Sequence, residues 1–143
     1  MSGCYCQINF DPEWFLKMRP IALVVDDSML IRHAVCSYFE DRGFEAESAC
    51  NGLEALEVVA RTRPDIIVTD IQMPKLDGRR LIEALKTNPK TADVPILVLA
   101  NRRFVEESRA DQLADHFIFK DIDIEGQLNQ ALRLMLPDHL VER

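Results

Sequence analysis

Apolar residues along this chain fall into short blocks of two kinds. The first kind is continuous. Ile21-Ala22-Leu23-Val24-Val25, Ile66-Ile67-Val68 and Pro95-Ile96-Leu97-Val98-Leu99-Ala100 run without a polar interruption, as expected of strands buried on both faces. His116-Phe117-Ile118-Phe119 is a shorter block that predicts another strand, and Phe44 to Cys50 alternates unevenly, as a strand near a sheet edge does. The second kind recurs at helical spacing. Ile31, Ala34, Val35 and Tyr38 predict a helix running from a Ser28 cap to about Asp41, where Gly43 stops it. Leu53 to Ala60 predicts a second helix after the Asn51-Gly52 turn, and Leu81, Ile82 and Leu85 place a third between Asp77-Gly78 and Asn88-Pro89. A charged stretch over 103–113, with Phe104, Val105 and Leu113, predicts a weaker helix. Ile124, Leu128, Ala131, Leu132 and Met135 predict a last one over about 123–136. Strands and helices therefore alternate five times. That pattern predicts an α/β fold with a parallel sheet, helices on both faces and right-handed crossovers.

The alternating pattern occupies residues 20–137, read as one domain. Residues 1–19 lack a sustained period and read as an N-terminal extension. Within it, Asp11 and Pro12 supply the cap and first-turn proline of a short helix over Pro12 to Met18. Residues 138–143 read as a polar tail, with no output domain after it.

A length of 143 residues suits one domain with a sizeable core, and a net charge of −7 with only the pairs Arg79-Arg80 and Arg102-Arg103 argues against nucleic acid as a partner. No apolar run approaches the roughly 20 residues a membrane span needs. The N-terminus has no basic segment followed by an apolar one, so a cytoplasmic location is expected. Cys4-x-Cys6 lacks the spacing of a zinc or dithiol site, and Cys36 and Cys50, inside apolar patterns, are expected to be small core residues.

The chemistry lies where strands end. Asp70 follows Ile66-Ile67-Val68-Thr69, just before the chain breaks at Met73-Pro74; Asp26-Asp27 follows the first strand, and Lys120 follows the fifth. Each alone has an ordinary reading, a helix-capping acid or a solvated strand end. Together they fall at the carboxyl edge of one parallel sheet, where such folds bind ligands. Carboxylates gathered there hold protons or a cation, and a set of oxygen donors favours Mg²⁺. A carboxylate beside Mg²⁺ and a lysine can act as a nucleophile toward phosphorus.

Leu23-Val24-Val25-Asp26-Asp27-Ser28, Asn51-Gly52-Leu53-Glu54-Ala55-Leu56, Pro64-Asp65 through Met73-Pro74, Leu76-Asp77-Gly78, Pro95 to Leu99 and Phe117-Ile118-Phe119-Lys120 stand in this order. The set closely resembles the receiver domain of two-component response regulators, of the stand-alone, chemotaxis-regulator-like type. The resemblance covers about residues 20–137 and implies a flavodoxin-like (βα)5 fold with strand order 2-1-3-4-5. It also implies roles. Asp70 would accept a phosphoryl group from a histidine kinase or phosphotransfer protein. Asp27 would ligate Mg²⁺ directly, Asp26 largely through water, and the Gln72 main-chain carbonyl would complete the protein ligands. Lys120 would pair with phosphoryl oxygens, and Phe117 matches the aromatic switch position. The signal would leave through the surface around residues 102–136 to a downstream protein. The chain would be a phosphoacceptor with at most slow self-dephosphorylation, not an enzyme acting on an external substrate.

Two positions depart from the family pattern. Ala100 stands where Ser or Thr is usual. It cannot donate the hydrogen bond that a hydroxyl gives a phosphoryl group, worth about 1.5–3 kcal/mol to a charged acceptor. Asp121 follows the lysine where Pro, often in a cis bond, is usual; a non-proline cis bond costs about 2.5–4 kcal/mol, so a trans bond is expected. These departures motivate an alternative reading, a pseudo-receiver interaction module that works without phosphorylation. A metal-dependent hydrolase lacks an evident substrate pocket or second base. A flavin site lacks a phosphate-binding loop after the first strand.

Overall fold

The computed structural model describes residues 19–71, 78–100, 115–120 and 123–135. Expectations for the 1–18 arm with Cys4 and Cys6, for Gln72 to Asp77, for the 103–113 helix, for Asp121 and for the tail lie outside the described residues. The elements in chain order are β1 (Ile21–Val25), α1 (Met29–Asp41), β2 (Glu45–Ala49), α2 (Gly52–Thr62), β3 (Ile66–Asp70), α3 (Gly78–Thr87), β4 (Ile96–Ala100), β5 (His116–Phe119) and α4 (Ile124–Met135). All five strands are parallel and lie in the order β2-β1-β3-β4-β5. The chain has the flavodoxin-like arrangement expected, with the unevenly patterned β2 at one edge and β5 at the other.

The continuous apolar runs are the inner strands. β3 and β4 are buried at every position, because alternate side chains feed two different cores. On one face, Ala22, Val24, Ile66, Val68, Leu97, Leu99 and Ile118 pack with Val35, Tyr38 and Phe39 of α1 and Leu128, Ala131 and Leu132 of α4. On the other, Leu23, Val25, Ile67, Ile96 and Val98 pack with Ala55, Val58 and Val59 of α2 and Leu81, Ile82 and Leu85 of α3.

Local signals set the helix ends. Ser28 is extended and its hydroxyl accepts from Ile31 N–H, capping α1 as its sequence position predicts. Gly43, at φ 89°, takes the left-handed turn that ends α1 and leads to Phe44. Asn51 caps α2 by accepting from Glu54 N–H at 2.9 Å, and the Glu54 carboxylate reaches back to Cys50 N–H at 2.8 Å. Arg63 closes α2 at φ 54°, a left-handed non-glycine position that its sequence does not announce. The cysteine expectation is corrected in part. Cys36 is half-buried and packs against the α1/α4 core, whereas Cys50, just past the end of β2, joins neither core.

Phe39 anchors the α1/α4 core. It is fully buried, with edge-on ring contacts to Tyr38 at 5.3 Å and Phe44 at 5.0 Å between centroids. Phe39→Ala is expected to lower the unfolding free energy by about 3–5 kcal/mol, measured by urea titration.

Candidate functional site

The register carries three strand ends to one place. Val25 lies beside both Ala49 of β2 and Thr69 of β3, so Asp70, the last residue of β3, stands level with Asp26, the first after β1, and Asp70 lies beside Leu99 of β4. Asp26 N–H extends the ladder to Ala49 O at 3.1 Å, and Lys120 N–H does so to Ala100 O at 3.0 Å. Asp26, Asp70 and Lys120 thus leave the sheet at its carboxyl edge, as their sequence positions predict.

Lys120 Nζ lies 2.9 Å from Asp26 Oδ2 and 3.1 Å from Asp70 Oδ2. The second oxygens are held by the backbone. Asp26 Oδ1 accepts from Ser28 N–H at 2.8 Å, and Asp70 Oδ1 accepts from Ile71 N–H at 2.7 Å. Asp26 is completely buried and Asp70 nearly so, while Asp27 is exposed at the mouth. Burial pulls the Lys120 ammonium toward a lower pKa. Its contacts with Asp26 and Asp70 outweigh that and hold it above the ordinary 10.5.

One oxygen from each of Asp26, Asp27 and Asp70 lies within 4.8 Å of the others. Asp26 Oδ2 is buried without a hydrogen bond of good geometry, its close charge partner being the Lys120 ammonium. An all-oxygen, carboxylate-rich set with a buried, under-bonded oxygen suits a small hard divalent cation, and Mg²⁺ chemistry fits these residues. The Gln72 carbonyl, the remaining expected ligand, lies outside the described residues.

The two residues expected at switch positions lie on the adjoining strands β4 and β5. Ala100 ends β4, buried against the α2/α3 core, and lies opposite Phe119 in the ladder. Phe117, opposite Val98, is partly buried and packs against the same core.

Among the described residues, a membrane-crossing helix is absent: none is long and apolar enough. The response regulator receiver domain family matches residues 22–133. The chain belongs to that family. Among its curated relatives, the response regulator MprA of Mycobacterium leprae (strain TN) is 38% identical over 125 residues, which is 84% of this chain and 54% of that protein. MprA of Mycobacterium bovis (strain BCG / Pasteur 1173P2) is 35% identical over 125 residues, again 84% of this chain and 54% of the relative. The chain spans about half the length of the curated relatives it matches. Among solved structures, the chemotaxis response regulator CheY4 of Vibrio cholerae superposes with a TM-score of 0.75 at 29% identity, over 83% of this chain and 100% of that one. A signal receiver domain of a histidine kinase from Syntrophus aciditrophicus gives 0.71 at 28% identity, over 85% and 89%. The chain is thus a receiver domain, a signalling module of two-component systems.

Three other residues serve this site from positions that the strand-end pattern did not single out. Arg32 Nη1 donates to Asp26 O at 2.7 Å, fixing the turn that presents Asp26 and Asp27. Gly78 abuts the Asp70 main chain: its N–H donates to Ile71 O at 2.8 Å, and a Cβ added there would stand 2.7 Å from Ile71 Cα and closer still to Asp70 O. Gln127 bonds the backbone beside Lys120. The signals were faint. Arg32 and Gln127 read as helix-surface polar residues, and Gly78 reads as an ordinary helix start.

Two outcomes follow from this geometry. Gly78→Ala forces a methyl group against the Asp70–Ile71 backbone, so a loss of about 1–3 kcal/mol is expected by denaturant titration, the range for overpacking a tight site. The second concerns pH. The folded-state pKa of Lys120 is raised, so its stabilising contribution is complete below the unfolded value near 10.4 and is lost as pH rises through the folded value. Metal-free protein should lose stability on that alkaline limb, and Lys120→Met should flatten it in thermal melts across pH 9–12.

Proposed function

We propose that this chain is an Mg²⁺-dependent phosphoacceptor, with Asp70 as the residue that receives the phosphoryl group. The observation that carries the reading is the placement of the Asp70 carboxylate. It is nearly buried, its Oδ1 is held by Ile71 N–H, and its Oδ2 faces an ammonium inside a cluster of three carboxylates. The donor is a histidine kinase or phosphotransfer protein carrying a phosphohistidine. An Asp70 oxygen forms the bond to phosphorus while the phosphorus–nitrogen bond breaks, and the imidazole keeps the electron pair and takes up a proton. Asp26, Asp27, Asp70 and the Gln72 carbonyl would hold Mg²⁺, which when bound offsets charge on the phosphoryl oxygens. Lys120 exchanges part of its ion pairing with Asp70 for a phosphoryl oxygen, since phosphorylation removes the carboxylate charge it faces. Output is by protein–protein contact, through the surface around residues 102–136, to a downstream protein. Turnover is limited to slow loss of the phosphoryl group from Asp70.

Ala100 favours a second reading. At the end of β4 it presents a methyl group, buried against the α2/α3 core, where a hydroxyl would reach the phosphoryl group. A pseudo-receiver that binds its partner regardless of phosphorylation would tolerate that side chain.

Intact mass after incubation with acetyl phosphate or phosphoramidate decides between them. One added phosphoryl group in wild type, dependent on Mg²⁺ and absent in Asp70→Asn, is the expected outcome. No adduct in protein shown by calorimetry to bind Mg²⁺, and none from a phosphorylated histidine donor, would overturn the phosphoacceptor reading in favour of the second.

A further inference from the structure

β5 is an edge strand, and the residue that follows it is Lys120. In a parallel ladder, successive residues turn their backbone groups alternately toward one neighbour and then the other. Lys120 N–H turns inward, to Ala100 O. Phe119, one residue earlier, therefore turns its N–H and C=O outward, away from β4. An exposed edge of this kind is normally left to water or to another strand.

Here a side chain lies on it. Gln127, in the first turns of α4, accepts from Phe119 N–H through Oε1 at 3.0 Å and donates from Nε2 to Phe119 O at 2.9 Å. A primary amide presents one donor and one acceptor side by side, the same pair a neighbouring strand would offer. Nε2 also lies 3.2 Å from Asp123 O, and the adjacent Leu128 is buried in the α1/α4 core. The amide is thus anchored at its base. Phe119 is gripped from outside by Gln127, and Lys120 from inside by Ala100.

We propose that Gln127 is the positioning residue for Lys120, closing the end of β5 so that the ammonium stays between Asp26 and Asp70. The inference extends the phosphoacceptor reading for its kinetic consequence, but the clamp itself stands on hydrogen-bond geometry. Gln127 touches neither carboxylate; it acts through the Phe119 backbone. A site lysine on the outermost strand needs such a device, because among the described residues β5 has a strand on one side alone, whereas β1 and β3, which carry the aspartates, have strands on both.

The test uses Gln127→Met, which keeps length and helix propensity and removes both hydrogen bonds. Competitive acetylation with acetic anhydride, read by mass spectrometry, reports how well each lysine is held. Lys120 should label at least about fivefold faster in the variant, the lower end of what two hydrogen bonds support. Lys90, exposed in the connection between α3 and β4, and Lys86, paired with Asp115 before β5, should keep their wild-type rates. An unchanged Lys120 rate, or an equal rise at all three lysines, would overturn the proposal. A measurement on unaltered protein covers a variant that fails to fold: Phe119 N–H should exchange far more slowly than an unbonded, solvent-exposed amide, and exchange at the unprotected rate would overturn it as well. If wild type accepts a phosphoryl group, Gln127→Met should slow labelling of Asp70 by a similar factor with the Mg²⁺ Kd unchanged. It should also have no further effect in a Lys120→Ala background. If wild type accepts none, the phosphoacceptor reading fails, while acetylation and exchange still decide the clamp.

Discussion

The structure depends on one ammonium set between two buried carboxylates. Asp26 and Asp70 come from neighbouring strands, and two negative charges brought this close out of water repel each other strongly. Lys120 offsets part of that repulsion at 2.9 and 3.1 Å. It does not cancel it, because Asp27 adds a third carboxylate at the mouth. The cluster keeps an excess of negative charge, and Asp26 Oδ2 lacks a well-directed hydrogen bond. Such a site is expensive for an apo domain and well suited to a divalent cation. The fold supplies the stability that the site consumes: two apolar cores, one on each face of the sheet, with β3 and β4 buried throughout.

The parallel sheet is what makes the cluster possible. All strands point the same way, so their carboxyl ends share one edge, and the groups that follow them gather without any long connection. Register does the rest. β3 runs one residue past the end of β1, which sets Asp70 level with Asp26, and β4 carries Asp70's neighbour Leu99 one residue before Ala100. Main-chain contacts then fix the turns. Ser28 N–H holds Asp26, Ile71 N–H holds Asp70, and Gly78, lacking a Cβ, lets α3 begin against the Asp70 carbonyl. The carboxylates are therefore oriented by backbone groups that cannot rotate away. The lysine, on a long flexible stem, is oriented by its charge partners and by its strand.

Much of this was legible in the sequence because burial on both faces of a strand leaves an unmistakable mark. Ile66 to Val68 and Ile96 to Ala100 contain no polar residue, and the first ionisable groups after such runs had to lie at the sheet's edge. Ser28, Gly43 and Asn51 announce their turns because their local chemistry dictates them. What stayed hidden was of another kind. Arg63 takes a left-handed conformation with no glycine to signal it. Cys50 has apolar neighbours in sequence but lies beyond the strand, so its pattern promised more burial than it has. Gln127 and Arg32 act on backbone atoms of other elements, and periodicity carries no trace of a partner that is distant in the chain.

The two halves of the site differ in how firmly they are held. Asp26 follows β1 and Asp70 ends β3, strands that are each hydrogen-bonded to a neighbour on either side, and the two side chains are almost fully withdrawn from water. Lys120 extends β5, is partly exposed, and is held by its two carboxylate partners, by the ladder bond to Ala100 O and, through the Phe119 backbone, by the Gln127 side chain. Local opening starts where a segment has the fewest buried contacts and ladder bonds, so the lysine end is the softer half. Adding charge to Asp70 changes the force on Lys120 directly, whereas the carboxylates have little room to respond. Ala100 sharpens the asymmetry. Without a hydroxyl at the end of β4, that strand offers no side-chain hydrogen bond to the site, and what it contributes is the carbonyl that holds Lys120 N–H.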